Sequence, residues 1–243
     1  MSKFTVAFAG NPNTGKSTLF NLLTGLRQHT GNWAGKTVIT AEGEFTHNGH
    51  TYKAVDLPGT YSLYSNSADE EAARDYIIFK QPDVTLVVLD ATSLERNLNL
   101  ALQVLEITGR AVVCINLIDE ARRLGIGIDL KAIAERLGVP VVAISARNEI
   151  GIGPLLDQLE RVATGAVAAQ PLRITYSEEI ERGIAELTPL VERTVGSRYP
   201  ARWIALRLLD GDDSLLAALK DHMERKPITG SKEALGHGIT ACH

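Results

Sequence analysis

Cysteine is almost missing from this 243-residue chain. Only Cys114 and Cys242 occur, too far apart for a disulfide framework or a paired-cysteine zinc site, and a reducing cytosolic compartment fits best. An excess of positive charge is missing too. With a formal net charge of -4, no overall basic field exists to coat nucleic acid or an anionic membrane, so no nucleic-acid partner is expected. Long apolar runs are also lacking: none reaches the roughly 18 residues that a membrane helix requires. The best candidates, residues 84–89 and 111–115, have the length of buried strands. The opening apolar run is too short for a signal peptide and leads straight into a glycine-rich segment, so the chain as given is expected not to cross a membrane.

What is present is an ordinary globular composition, 44% hydrophobic and 22% charged, enough for one large core or two smaller ones. Apolar runs at 4–9, 84–89, 111–115 and 139–144 read as strands buried on both faces, the pattern of a parallel sheet covered by helices. Segments of helical period lie at 16–24, 68–79, 94–108, 130–137 and 152–163, and Ser67-Ala68-Asp69-Glu70 has capping-box spacing. Asn48-Gly49 between 38–47 and 50–56 is a hairpin signal. The expected fold is α/β: a mostly parallel six- to seven-stranded sheet with one antiparallel edge strand and helices on both faces.

Small residues at 165–171 mark a boundary, giving a domain at 1–166, a small all-α domain at 167–227 and a weakly patterned tail at 228–243 where disorder is expected. In the second domain Thr175-Tyr176-Ser177-Glu178 offers a capping box, and Ile180, Ile184, Leu187, Val191 and Val195 share a helical face. Pro189 opens the alternatives of a kink or a new start. Pro200 suits a first helical position ahead of Trp203, Leu206 and Leu209, and Asp212, Asp213 or Ser214 can cap a third helix at 215–223.

Gly10-Asn11-Pro12-Asn13-Thr14-Gly15-Lys16-Ser17 satisfies the phosphate-loop pattern in the required setting, after a strand and before a helix. Glycines there let backbone N–H groups close around phosphate, the helix dipole adds to the attraction, Lys16 reaches the terminal phosphates and Ser17 offers a hydroxyl to Mg²⁺. Thr18 follows as part of the same turn. Asp56-Leu57-Pro58-Gly59 has the form of a second metal and γ-phosphate motif, with Asp56 on Mg²⁺ through water and the Gly59 N–H on the γ-phosphate. Asn116-Leu117-Ile118-Asp119 ends a strand at the carboxyl edge where ligands of such sheets bind. The Asp119 carboxylate can accept from guanine's ring N–H and amine, a donor pair adenine lacks. Asn116 ties this loop to the cradle, and Ser145-Ala146-Arg147 closes the next strand where a backbone N–H can reach the guanine carbonyl oxygen. His47 and His50 at the hairpin, and His237 and His243 in the tail, show no metal spacing and read as solvent-exposed.

The order of these motifs resembles the translation-factor-like GTPases, with the Ras-like P-loop fold that implies. Gly31-Asn32-Trp33-Ala34-Gly35-Lys36-Thr37-Val38 resembles the switch I segment of the FeoB ferrous-iron transporters, Asp56 to Leu63 is similar to their switch II, and Arg202 to Leu209 resembles their helical domain. The resemblance implies a Mg²⁺-dependent GTPase with Thr37 on the metal, and Gly35 and Lys36 beside the nucleotide. Ala34 and Lys36 stand where the family has Pro and Val, and Leu117 where related motifs have a base-packing lysine. Thr60 occupies the place of the water-orienting glutamine of Ras-like proteins, which implies slow hydrolysis. The likeness to potassium-activated GTPases implies K⁺ held by Asn13 and by backbone carbonyls near Gly31 and Trp33. It further implies GTP and GDP as ligands, a membrane transport domain later in the same polypeptide, small Feo accessory proteins and self-association as partners, and a place on the cytosolic face of the bacterial inner membrane. An RNA- or ribosome-associated GTPase and a purely regulatory nucleotide-binding module share the same motifs.

Overall fold

The computed structural model describes residues 2–25, 28–32, 39–64, 66–167 and 169–225. Trp33, Ala34, Gly35, Lys36, Thr37 and the tail at 228–243, with His237, Cys242 and His243, lie outside these. Seven strands form one sheet in the order β2-β3-β4-β1-β5-β6-β7. They are β1 (Lys3–Gly10), β2 (Gln28–Asn32), β3 (Ile39–His47), β4 (His50–Asp56), β5 (Val84–Asp90), β6 (Ala111–Asn116) and β7 (Val141–Ala143). Only β3 runs against the rest, paired antiparallel to β4 on one side and to the short β2 on the other. The outermost strand is therefore β2, which its polar sequence Gln-His-Thr-Gly-Asn gave no pattern to foresee.

Alternation along the central strands divides the core. Val6, Phe8, Leu86, Val88, Val112 and Cys114 pack on one face against α1 (Lys16–Thr24) and α6 (Ile152–Ala163). Burial there pushes the Cys114 thiol far up, so it is an inert core residue. Ala7, Ala9, Val87, Leu89, Val113 and Ile115 face the other way, toward α2 (Ala68–Asp75), α3 (Leu94–Ile107), α4 (Ile118–Arg123) and α5 (Leu130–Leu137). Each sheet face is covered, as the continuous apolar strands required. Ser67 caps α2 by accepting the Glu70 N–H, and Glu70 accepts from Asn66 N–H and the Ser62 hydroxyl. The helix expected at 68–79 changes pitch on the way: Tyr76–Lys80 is a π-helical turn.

Three further helices, α7 (Glu178–Val195), α8 (Ala201–Leu209) and α9 (Asp213–Arg225), join the same core through Ile184, Val191, Trp203, Ile204 and Leu215. Helix α7 passes through Pro189 without a break. It starts at Glu178 rather than behind a Thr175 cap, because Glu181 reaches back to accept the Tyr176 N–H at 3.0 Å. Ile180 and Leu209, placed on apolar faces by their spacing, are instead exposed. The segment before α7 is not a free tether. Gln170 and Leu172 donate to Gly138 and Leu137 at 3.0 and 2.9 Å, and a Cβ on Gly138 would lie 1.7 Å from the Gln170 oxygen. Among the described residues no helix is long and apolar enough to cross a membrane.

Polar contacts lock the helices to the sheet. Arg74 of α2 is wholly buried between Asp75 at 2.8 Å and Asp212 at 3.4 Å, with the Ser214 hydroxyl at 3.0 Å. Asp212 also accepts from Arg207 at 3.2 Å and caps α9 through the Leu215 N–H. On α7, two hydrogen bonds from Arg202 hold the Glu181 carboxyl down to about 2. Removing Asp212 leaves two buried guanidinium groups short of a partner, so Asp212→Ala should lower unfolding stability by about 3 kcal/mol in urea. Arg123→Ala, which breaks only an exposed pair with Glu120, should cost less than about 1 kcal/mol.

Candidate functional site

The parallel register brings the carboxyl ends of four strands level: Phe8 pairs with Asp56, Gly10 with Val88 and Asp90 with Asn116. Chain leaving this edge builds one continuous surface. After Gly10 the loop turns through Asn13 (φ 66°) and Gly15 (φ 77°), both left-handed, into α1. A Cβ on Gly10 would meet the Val88 carbonyl at 2.7 Å, and one on Gly15 would meet the Asn116 amide nitrogen at 2.3 Å. Steric necessity explains both glycines. No side chain caps the start of α1 and its first turn holds no acidic residue, so its N–H groups and dipole are available to an anion.

Lys16, only 7% exposed, lies at the centre of this surface. Its ammonium contacts the Asp56 carboxylate and donates to the Leu57 carbonyl at 2.6 Å. The Ser17 hydroxyl donates to the other Asp56 oxygen at 3.3 Å. A hydroxyl and a carboxylate at one point, beside a phosphate-binding loop, form the hard-oxygen donor set that suits Mg²⁺. Gly59 lies over Pro12, where an added Cβ would come within 3.4 Å of the proline ring and Cα. The buried Thr60 donates its N–H to Gly10 O at 3.2 Å. Asn11 is also buried, and its side-chain amide has no partner among the described residues. Asn13 and Thr18 are exposed on the lip of the loop.

Asn116 joins the two halves of the surface. Fully enclosed at 1% exposure, its amide donates to Thr14 O and accepts from Ala146 N–H, both at 2.9 Å. Leu117 then turns through a left-handed conformation (φ 61°) and delivers Asp119 in the first turn of α4. The Ser145 hydroxyl first, then the nearby backbone N–H groups and the Asn148 amide, hold the Asp119 carboxyl below the usual carboxylate range. Oδ2 accepts from Asn148 at 3.0 Å, and the residue as a whole stays partly exposed at the surface.

Ser145 and Ile150 close a tight loop by mutual backbone hydrogen bonds of 3.0 and 3.1 Å. Of the three backbone N–H groups in the run where one donor to a base was expected, those of Ser145 and Ala146 are engaged, by Ile150 O and Asn116, which leaves Arg147. Asn148 was missed in the sequence although it holds both Asp119 and Ser145. Its one signal was a side-chain amide directly after the Ser-Ala-Arg run. Gly31 lies in β2 opposite Thr40.

The histidines at the hairpin are not exposed as expected. His47 and His50 are partly buried against α6, with His47 Nε2 2.9 Å from Asp157 Oδ1. The carboxylates that face them come from more than a hundred residues away, so spacing in the sequence carried no trace of them.

The chain is similar to known proteins along most of its length. A family described as "Ferrous iron transport protein B" matches residues 4–159, and the "FeoB cytosolic helical domain" matches residues 176–235. The Fe(2+) transporter FeoB of Salmonella typhimurium is 40% identical over 247 residues, which cover 92% of this chain and 31% of that protein. The chain therefore spans less than a third of that relative's length. Among solved structures, the cytosolic domain of T. maritima FeoB in a GDP form has a TM-score of 0.81 at 35% identity, covering 90% of this chain and 85% of that one. The cytosolic domain of L. pneumophila FeoB has a TM-score of 0.80 at 33% identity, covering 93% and 90%. Likeness of this extent, running through the sheet and the three helices that follow it, makes the chain a member of the FeoB family of ferrous iron transport proteins.

Proposed function

We propose that this chain binds GTP and GDP at the carboxyl edge of the sheet, hydrolyses GTP slowly with Mg²⁺, and serves as the cytosolic regulatory part of a ferrous iron membrane transporter. The observation that carries this reading is Asn116, whose single amide ties the phosphate loop to the base loop and sets the partly exposed Asp119 carboxylate beside it. An ionised carboxylate only accepts, and guanine's ring N–H and amine present it with a matched pair of donors.

Residues 1–166 form the GTPase unit in this reading, 167–227 the helical unit, and 228–243 a tail. Lys16 and the N–H groups of residues 10–18 bind the phosphates; Ser17 and Thr37, with Asp56 through water, hold Mg²⁺. Bound there, Mg²⁺ would supply positive charge against the phosphates. Gly35 and Lys36 flank the nucleotide in switch I, and the Gly59 N–H meets the γ-phosphate. Asp119 reads the guanine edge, and Arg147 supplies the backbone N–H for the carbonyl oxygen beside Ser145 and Ala146. Thr60 is too short, and too deeply buried, to orient water as a glutamine does, so the intrinsic rate is slow. Asn13, with carbonyls near Gly31 and Trp33, would hold K⁺, which would supply positive charge where transition-state charge develops.

Nucleotide state reaches the helices through the segment after Gly59. The Leu63 N–H donates to Gln103 at 2.6 Å, Tyr64 lies under the Arg207 guanidinium at 4.4 Å, and Arg74 on the following helix grips Asp212. Movement of Gly59 toward or away from a γ-phosphate would pull on all three contacts. In the full-length polypeptide this pull passes to the membrane domain, with accessory proteins and self-association as further partners.

Changing Asp119→Asn turns an acceptor into a donor at the base edge. GDP affinity should then fall by about 10³- to 10⁴-fold while xanthosine diphosphate, which offers a carbonyl there, binds more tightly than it does to the native chain; unaltered GDP affinity in a titration would refute the assignment. Single-turnover GTP hydrolysis should run about tenfold or more faster in KCl than in NaCl, and Asn13→Ala should abolish the difference. Equal rates in the two salts would remove K⁺ from the mechanism.

A further inference from the structure

At the far end of the sheet from the phosphate loop, the β3–β4 hairpin meets the outer half of α6. Six steps along β4 lead from His50 there to Asp56 at the cradle, a distance of about 20 Å. Asp157 and Glu160, spaced i and i+3, share the face of α6 that looks at the hairpin. His47 Nε2 lies 2.9 Å from Asp157 Oδ1 and 3.7 Å from Glu160 Oε2, and the three candidate ligand atoms all fall within 4.8 Å of one another. Two ligand atoms on one tetrahedral or octahedral ion, each at about 2.1 Å, stand about 3.0 to 3.4 Å apart. The two distances from His47 bracket that value, so the imidazole and each carboxylate stand near the spacing of ligands on one ion.

Two carboxylates and a neutral imidazole carry two negative charges, matched to a divalent cation. The imidazole selects a borderline first-row ion over Mg²⁺ or Ca²⁺. No lysine or arginine among the described residues forms a salt bridge with Asp157 or Glu160; their neighbours are imidazoles and an amide. Asn48 donates to Glu160 Oε2 at 2.7 Å. The other oxygen, Oε1, lies 3.8 Å from His50 Nε2, and the opposite ring nitrogen of His50 is buried without a partner. The site therefore has a second imidazole beside its first.

We infer that His47, Asp157 and Glu160 form a binding site for a borderline divalent transition-metal ion, which clamps the β3–β4 hairpin to α6 and is separate from the Mg²⁺ position at Ser17 and Asp56. Nothing in it depends on the nucleotide reading above.

The probe is Co²⁺, titrated into the full chain in excess Mg²⁺ to mask the hard-oxygen site, and followed by d–d absorption and by stoichiometry. The native chain should bind one Co²⁺ more than His47→Ala. Asp157→Asn, at an exposed position and with unchanged shape, should weaken that ion by at least about 10-fold. GDP affinity should be unaltered in both variants, which confirms their fold and keeps this test apart from the nucleotide assignment. Should His47→Ala fail to fold, Asp157→Asn carries the test alone. Equal Co²⁺ stoichiometry and affinity in the native chain and the folded variants would overturn the site.

Discussion

Asn116 makes two hydrogen bonds of 2.9 Å, one to the carbonyl of Thr14 and one from the N–H of Ala146, and the geometry of the whole carboxyl edge rests on them. The three segments joined there come from separate parts of the sequence, and β1 and β6 are not neighbours in the sheet. An amide is the one kind of short side chain that donates and accepts at opposite ends, so neither aspartate nor leucine can replace it. Gly15 answers the same demand from the other side, since a Cβ would collide with that amide at 2.3 Å. Two residues with no charge between them thereby set where charged groups stand.

From this tie the remaining arrangement follows in layers. Level strand ends place Asp56 opposite Lys16 and Ser17, and the segment beyond Gly59 crosses to the helices through Tyr64, Arg74 and Asp212. The buried Arg74 cluster is costly to desolvate and exact in direction. It holds α9 to α2, the helix that follows Gly59, as a fixed contact rather than a flexible tether. The anchored stretch at Gln170 and Leu172 serves the same end.

Much of this was legible in the sequence because it is written locally. The phosphate loop, the Asn-Gly hairpin, the buried strands and the starts of α1, α5 and α6 depend on residues next to one another. What escaped depends on distance. Strand β2 is held by backbone pairing to β3 and carries no side-chain pattern; α4 has six residues and is fixed by burying Ile118 and Ala121. Asn148 acts through a loop closed by Ile150, and His47 meets carboxylates 110 and 113 positions away. A hairpin histidine reads as exposed until the helix that covers it is known. Thr37 and the rest of switch I, legible as a motif, fall outside the described residues.

The account stands on discrimination between bases at the loop that Asn116 holds. Calorimetric titration of the native chain with GDP and with ADP, in Mg²⁺ and KCl, measures it directly. The account predicts GDP binding tighter than ADP by about 10⁴-fold, because adenine leaves the Asp119 carboxylate without donors. Affinities for the two nucleotides within a few-fold of each other would contradict it.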